Sequence, residues 1–186
     1  MAVVQFWAVD DDGRMFLYRE IVHTQLMISE LADKVIRVVK IQDPDPKAEE
    51  GDLVWAEPKP KAVICDHDAE GRAQFRKHLG VSTTSAKKEV KLGIEAVMER
   101  LNNAGDGKPR LFVLADAVAE RDPSMEERKA PIGLAEEVLS YVWAPSPDGR
   151  PVKEEPVKLN DHSCDAARYA VMRIDRGPVT VRHFGA

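Results

Sequence analysis

Two short stretches concentrate the side chains that could do chemistry. The first is Cys65-Asp66-His67-Asp68, at the C-terminal end of the apolar run KAVIC; the second is Asp161-His162-Ser163-Cys164-Asp165, continued by Ala166-Ala167-Arg168-Tyr169-Ala170. An acid that ends a buried strand is held rigidly while the loop after it leaves room, and open α/β sheets gather their sites at that edge. Asp66, the first polar residue after the run, is the better candidate; Asp68 could instead open the next helix and cap its free N–H groups. On a helix, His162, Asp165 and Tyr169 fall at i, i+3 and i+7 and share a face. The small residues Ala166, Ala167 and Ala170 let that helix approach a neighbour closely. The plainer alternative is an Asp161 favoured by the helix dipole, with His162 packed at its edge.

Carboxylates from separate elements suit Mg²⁺ or Mn²⁺, which take a few oxygen ligands and leave positions for water and phosphate. Two such ions about 4 Å apart can activate a water and stabilise the leaving oxygen of a phosphodiester. A rival zinc site would draw on Cys65, His67, His162 and Cys164, but ligands one residue apart chelate poorly beside the usual spacing of two to four. The basic residues Arg72, Arg76, Lys77, Lys87, Lys88 and Lys91 could track phosphates or merely solvate helix faces.

The elements needed to position these groups can be read from the pattern. VVQFWAV (3–9) and the run from Arg14 to Ile21 predict two strands, joined by an Asp10-Asp11-Asp12-Gly13 turn; the spacing of a calcium loop is missing. Ile28, Leu31, Ala32, Val35, Ile36 and Val39 predict an amphipathic helix. Residues 43–60 read as a connection with one irregular turn near Trp55, and KAVIC (61–65) as a buried strand. Helices follow over 69–79, stopping at Gly80, and over about 86–101, with Val90, Ile94, Val97, Met98 and Leu101 on one face. RLFVLA (110–115) is a strand, a loop with Pro123 and Pro131 leads to a helical segment at 134–143, and 144–159 is proline-rich and charged. The last helix covers 161–174 with Asn160 as its N-cap. This order implies an α/β or α+β chain with a mixed sheet.

The chain has 186 residues, 44% hydrophobic and 32% charged, which describes a globular chain with a sizeable core. A net charge of −5 argues against coating nucleic acid by bulk electrostatics but leaves local basic surface open. Two cysteines make no disulfide framework. No apolar run spans a bilayer and no secretory leader opens the sequence, so the expectation is a cytoplasmic protein without membrane contact.

The segment from Phe6 to Glu30 (FWAVDDDGRMFLYREIVHTQLMISE), ICDHDAEGRAQFRKHLG with AKKEVKLGIEAV after it, and NDHSCDAARYAVM resemble the C-terminal nuclease domain of large terminase subunits, the DNA-packaging motors of tailed phages. RLFVLADAV and EEVLSYVW fall in the same order, so the resemblance covers nearly the whole chain; Asp-His-x-x-Asp-Ala-x-Arg-Tyr-Ala is its most specific part. It implies a ribonuclease H-like mixed sheet flanked by helices and cleavage of double-stranded DNA at a two-metal Mg²⁺ or Mn²⁺ site held by three acids. The second acid corresponds to Asp66, with Asp68 as the other register, and the third to Asp165; His162 sits where family members often carry a site histidine. Arg72, Lys87, Lys88 and Lys91 would then meet DNA. Implied partners are a terminase ATPase domain or upstream fragment, the portal protein and the small terminase subunit, in the cytoplasm of a host cell, with the chain encoded by a phage or prophage.

One departure stands out. The family's first metal-binding aspartate lies on a strand before the hairpin, and Asp10, Asp11 and Asp12 come one strand too late to replace it. The expectation is therefore a single nuclease domain over 1–186, N-terminally incomplete, lacking the first central strand and any G-x-x-x-x-G-K-[ST] loop. The alternative function is a packaging-motor module or split-gene fragment that binds DNA or portal without cutting alone. Junction resolvases and integrases share the fold but not the terminal-helix motif.

Overall fold

Strand β1 (Ala2–Val9) and β2 (Met15–His23) form the antiparallel hairpin that the apolar runs predict. Its turn is closed by Gly13 at φ +76°, a left-handed backbone that glycine adopts without strain. Arg14 gathers the acidic turn, bonding Asp12 at 2.6 Å and Asp106 of a distant loop at 2.9 Å. Arg14, with Arg110 on Asp106, thus offsets part of the negative charge gathered at this turn. In this computed structural model, residues 1–145 and 151–176 are described.

The hairpin has one irregularity. Phe6 pairs with Arg19 but Trp7 pairs with Leu17, leaving Tyr18 as an extra residue on β2. Such a bulge reverses the alternation of the strand that carries it. On β1, Val4 and Phe6 pack on one face of the sheet and Gln5 and Trp7 on the other. On β2, Met15 and Leu17 share their face with Glu20, whereas Ile21 joins Val4 and Phe6. Without the bulge, Glu20 and Leu17 would lie on opposite faces.

Helix α1 (Ile28–Val39) lays Leu31, Ala32, Val35 and Val39 on the first face, as its periodicity predicts. The connection after it holds more structure than expected, an antiparallel pair of β3 (Lys40–Gln42) and β4 (Leu53–Trp55). Lys40 reaches over the Trp55 ring, 5.6 Å from its centre, a cation–π contact that stabilises this short pairing. Then β5 (Val63–Cys65) pairs in parallel with β6 (Thr83–Ser85), a polar strand that no pattern announces. Between them α2 (Ala69–Leu79) starts on the Asp68 carboxylate, which accepts the Gly71 N–H at 2.8 Å, and stops at left-handed Gly80. Phe75 and Leu79 of α2 complete the apolar layer with α1, Val63 and Cys65.

Helix α3 (Val90–Leu101) begins four residues later than the predicted 86, because Ala86 prolongs the β5–β6 pairing by donating to the Cys65 carbonyl. Its buried face also differs from the expected one. Gly93 and Ala96 are buried while Met98 and Leu101 are exposed; small residues let the last helix close on α3. Strands β7 (Leu111–Val113) and β8 (Val118–Glu120) run parallel to β2, giving a mixed, open sheet in the order β1-β2-β7, with β8 also on β2. Phe16 and Phe112 stack across the β2–β7 pairing at 5.1 Å. The predicted loop around Pro123 contains a short helix, α4 (Pro123–Glu127), capped by the buried Asp122, which also accepts both donors of Thr24.

The predicted helix at 134–143 is only α5 (Leu134–Glu137) and one 3₁₀ turn, Val138–Ser140. Trp143 already belongs to β9 (Trp143–Pro145), which pairs with β10 (Pro151–Pro156) in a stretch whose prolines and charges announce no strand. The middle of that stretch, 146–150, lies outside the described residues. The final helix α6 (His162–Asp175) covers the second face of the sheet, burying Cys164, Ala167, Val171 and Met172. Asn160 is not its N-cap; it stands one residue before Asp161, which holds that position, and has φ +51°. Arg100 of α3 grips the far end of α6 through both oxygens of Asp175. The whole is an α/β fold, an open mixed sheet between an α1–α2 layer and an α3–α6 layer. Among the described residues no helix is long and apolar enough to cross a membrane.

The α3–α6 closure is tight at one point. A Cβ on Gly93 would stand 2.3 Å from Cγ and 2.5 Å from Cδ of Arg168. Gly93→Ala is expected to lose roughly 1–3 kcal/mol in urea unfolding through overpacking, despite alanine's better helix propensity. Gly105→Ala, where the added carbon meets nothing, should stay within about 0.5 kcal/mol.

Candidate metal centre

The position of α6 decides where His162 and Asp165 lie, and its first turn is capped from outside. Asp161 holds the N-cap position but makes no side-chain capping bond. Instead Oε2 of Glu137, from α5, accepts the N–H groups of Ser163 at 2.7 Å and Cys164 at 3.2 Å. Beside it, Glu20 accepts from Gln5 Nε2 at 2.7 Å and from the Leu134 N–H at 2.8 Å. The same Gln5 nitrogen donates to the Ser163 carbonyl at 2.9 Å. Glu137 and Glu20 are 0% and 1% exposed, so this polar cluster sits inside the core. Gly133 makes room for it: at φ +87° its missing Cβ would lie 2.7 Å from Glu20 Oε2. Burial pushes the Glu137 carboxyl up to about 7, opposed by the Cys164 and Ser163 N–H groups and reinforced by the Glu20 charge.

Asp165 is held from its own helix. Its Oδ1 accepts Arg168 Nη2 at 2.7 Å. Arg168 is buried, bonds the Glu89 carbonyl and lies 4.8 Å from the centre of the Tyr169 ring. Lys158 stands 3.2 Å from Asp161 and 3.8 Å from Asp165. The Tyr169 phenol is raised by burial and then by the Asp165 charge, against Arg168, with Asp66 adding to the rise. Helix α6, which carries Asp165 one turn in, packs against β5, whose end leads into Asp66. The side chain of Asp66 is 53% exposed, with His67 Nδ1 3.4 Å from it. Two carboxylates from separate elements can offer oxygens to one hard cation. Among the described residues, however, no three His, Cys, Asp or Glu side chains gather closely enough to hold an ion.

The remaining candidates take more local roles. Asp68 caps α2, the alternative its position allowed. His162 is exposed at the first position of α6. Arg72 donates to the His67 carbonyl and Lys88 to the Asp66 carbonyl, each at 2.6 Å, so both steady the loop that carries Asp66. Lys87 reaches the Arg176 carbonyl, and Lys91 is exposed on α3. The four proposed zinc ligands do not form a cluster among the described residues. Burial, then Asp66, raises the Cys65 thiol to about 11; burial, then Glu137, raises Cys164 to about 12. Both favour the neutral thiol over the thiolate that binds metal.

Sequence patterns do not single out Gln5, Glu20 or Glu137. Gln5 and Glu20 are lone polar residues within apolar strands, which is a signal of sorts. Glu137 reads as an ordinary acid in a short helix, and nothing local marks it as buried.

No protein-family profile matches the sequence, and no curated protein does. Among solved structures, the chain is similar to the large terminase of a thermophilic bacteriophage in two crystal forms. One is a complex with ATP-γ-S, at TM-score 0.59 and 22% identity over 91% of this chain. The other has the same TM-score and 21% identity over 92% of this chain. In both, the chain spans 36% of the terminase. At this identity the likeness establishes a shared fold.

A buried carboxyl whose proton is held up to about pH 7, against an ordinary 4.5, favours the folded state when protonated. Its stabilising contribution is complete below pH 4.5 and is lost as pH rises through about 7. Glu137→Gln removes that titration. Between pH 5 and pH 8.5, urea unfolding should shift in favour of the variant by up to about 3 kcal/mol. A difference independent of pH would contradict the assignment.

Proposed function

We propose that this chain is a nuclease module of a phage-type DNA-packaging motor, with an incomplete metal site that a further segment must finish before double-stranded DNA is cut. The observation that carries the reading is the packing of α6, which bears Asp165, against β5, whose end leads into Asp66, in a fold shared with a large terminase. The terminase-like motif around Asp165 supports it further.

Asp66 and Asp165 offer oxygens of the kind a hard cation takes, and fall short of the set that two ions require. Mg²⁺ or Mn²⁺ would be held by Asp66 and Asp165, with His162 at the rim; Asp68 is occupied as a cap. When bound, the metal supplies water activation and stabilisation of the leaving oxygen. Arg168 orients Asp165 through one oxygen; the other faces the exposed Lys158 ammonium at 3.8 Å, which a bound cation would displace. Arg72, Lys87, Lys88 and Lys91 form the basic rim that would steer the phosphate backbone.

Support for incompleteness comes from the sheets. Among the described residues β1 pairs only with β2, and β5 only with β6. Both strands nevertheless touch the same α1–α2 apolar layer. One more strand could pair with such a free edge and carry the third acid. A terminase ATPase domain or upstream fragment is the expected donor. The portal protein and small terminase subunit complete the expected partners, and the host cytoplasm is the expected setting.

Supercoiled plasmid with Mn²⁺ tests the reading. The chain alone should leave the plasmid intact, and adding a terminase ATPase domain or upstream fragment that supplies the third acid should produce nicking that Asp165→Ala abolishes. Efficient Mn²⁺-dependent nicking by the chain alone would show that the site is already complete. No nicking under either condition would leave a purely binding module.

In calorimetry, Asp66→Asn and Asp165→Asn should each remove Mn²⁺ binding while the far-ultraviolet dichroism stays native. Asp66→Asn should cost little stability. Asp165→Asn should cost about 1–3 kcal/mol, because it weakens a charge-assisted bond to a buried arginine.

A further inference from the structure

We infer that Glu137 is the positioning residue for Asp165: its buried oxygen sets the axial place and rotation of the first turn of α6. The inference rests on the reading of Asp165 as a metal ligand. A helix is ordinarily capped by its own N-cap side chain, which satisfies its free N–H groups without tying the helix to anything else. Here Asp161, at the N-cap position, turns toward Lys158, and the cap comes from another element. Oε2 of Glu137 takes two successive N–H groups, those of the two residues just before Asp165.

The opposite side of the same turn is held as well, since Gln5 of β1 donates to the Ser163 carbonyl and to Glu20. The first turn of α6 is thus clamped between α5 and the β1–β2 hairpin. The arrangement is costly. Glu137 is a carboxyl with no exposure to solvent, and burying such a group costs free energy that its hydrogen bonds only partly return. A cap built for stability alone would not need a carboxylate in the core. A metal ligand needs placement within about 0.5 Å, and a two-sided clamp next to Asp165 provides that.

Reach and charge can be separated by two substitutions. Glu137→Gln keeps the length of the side chain and an acceptor oxygen but loses the charge. Glu137→Asp keeps the charge and withdraws the oxygen by one carbon–carbon bond, about 1.5 Å. Mn²⁺ binding to the full chain is measured by calorimetry, with amide hydrogen exchange at Ser163 and Cys164 reporting the clamp. Glu137→Gln is expected to bind within about 3-fold of the unsubstituted chain. Glu137→Asp is expected to bind at least 10-fold more weakly and to exchange faster at those two amides. If Glu137→Asp does not fold, Gln5→Asn shortens the other arm and should weaken binding in the same way. Unchanged affinity in the shortened variants, or an equal loss in Glu137→Gln, overturns the positioning role. Asp165→Asn, run alongside, tests the underlying reading separately: if it binds Mn²⁺ as well as the unsubstituted chain, Asp165 is not a ligand, whatever Glu137 does.

Discussion

The bonds from the Ser163 and Cys164 N–H groups to the buried Glu137 carboxylate govern where the last helix begins, and with it the setting of Asp165, Arg168 and Tyr169. Helix ends leave N–H groups that must find partners. At a surface, water or a local side chain serves. In a core a dedicated acceptor is required, and an acidic one also complements the positive end of the helix dipole. The price is a second carboxylate nearby, Glu20, whose charge disfavours ionisation of the first. Gln5 relieves part of this by donating to Glu20 and to α6 with one nitrogen, and Leu134 donates to the other Glu20 oxygen.

Around the candidate centre the charges are balanced in pairs. Asp165 has a buried guanidinium on one oxygen and an ammonium 3.8 Å from the other. Asp66 is more open to solvent, and the cations near it bond the loop carbonyls instead of its carboxylate. The two acids are therefore unlike partners, one fixed and part-buried, the other exposed on a braced loop.

Much of this arrangement is legible in the residues. The hairpin, α1, α2 with its Asp68 start and Gly80 stop, and the last helix follow from periodicity and capping chemistry. Asp66 and Asp165 stand where a strand end and a helix turn place them. What escapes the pattern is set by tertiary contact. β6 is a polar Thr-Thr-Ser strand that pairs only because β5 lies beside it. The buried face of α3 is chosen by Gly93 and Ala96, since close approach of α6 outweighs the burial of Met98 and Leu101. The helix predicted over 134–143 stops early, where Trp143 joins a strand. Glu20 faces α6 only because Tyr18 is an extra residue on β2, and a strict alternation would assign it to the other side of the sheet.

The clamp also bears on the order in which the chain acquires its structure. Gln5 and Ser163 are separated by 158 positions, and Leu134 and Glu20 by 114. Contacts between such remote points form only after the entropy of closing a long loop has been met, which slows their formation relative to local turns and hairpins. The hairpin and α1–α2 can assemble early from neighbouring contacts, while α6 docks late. The setting of Asp165 thus carries a larger loop-closure cost than that of Asp66, whose loop is braced by contacts nearer in sequence.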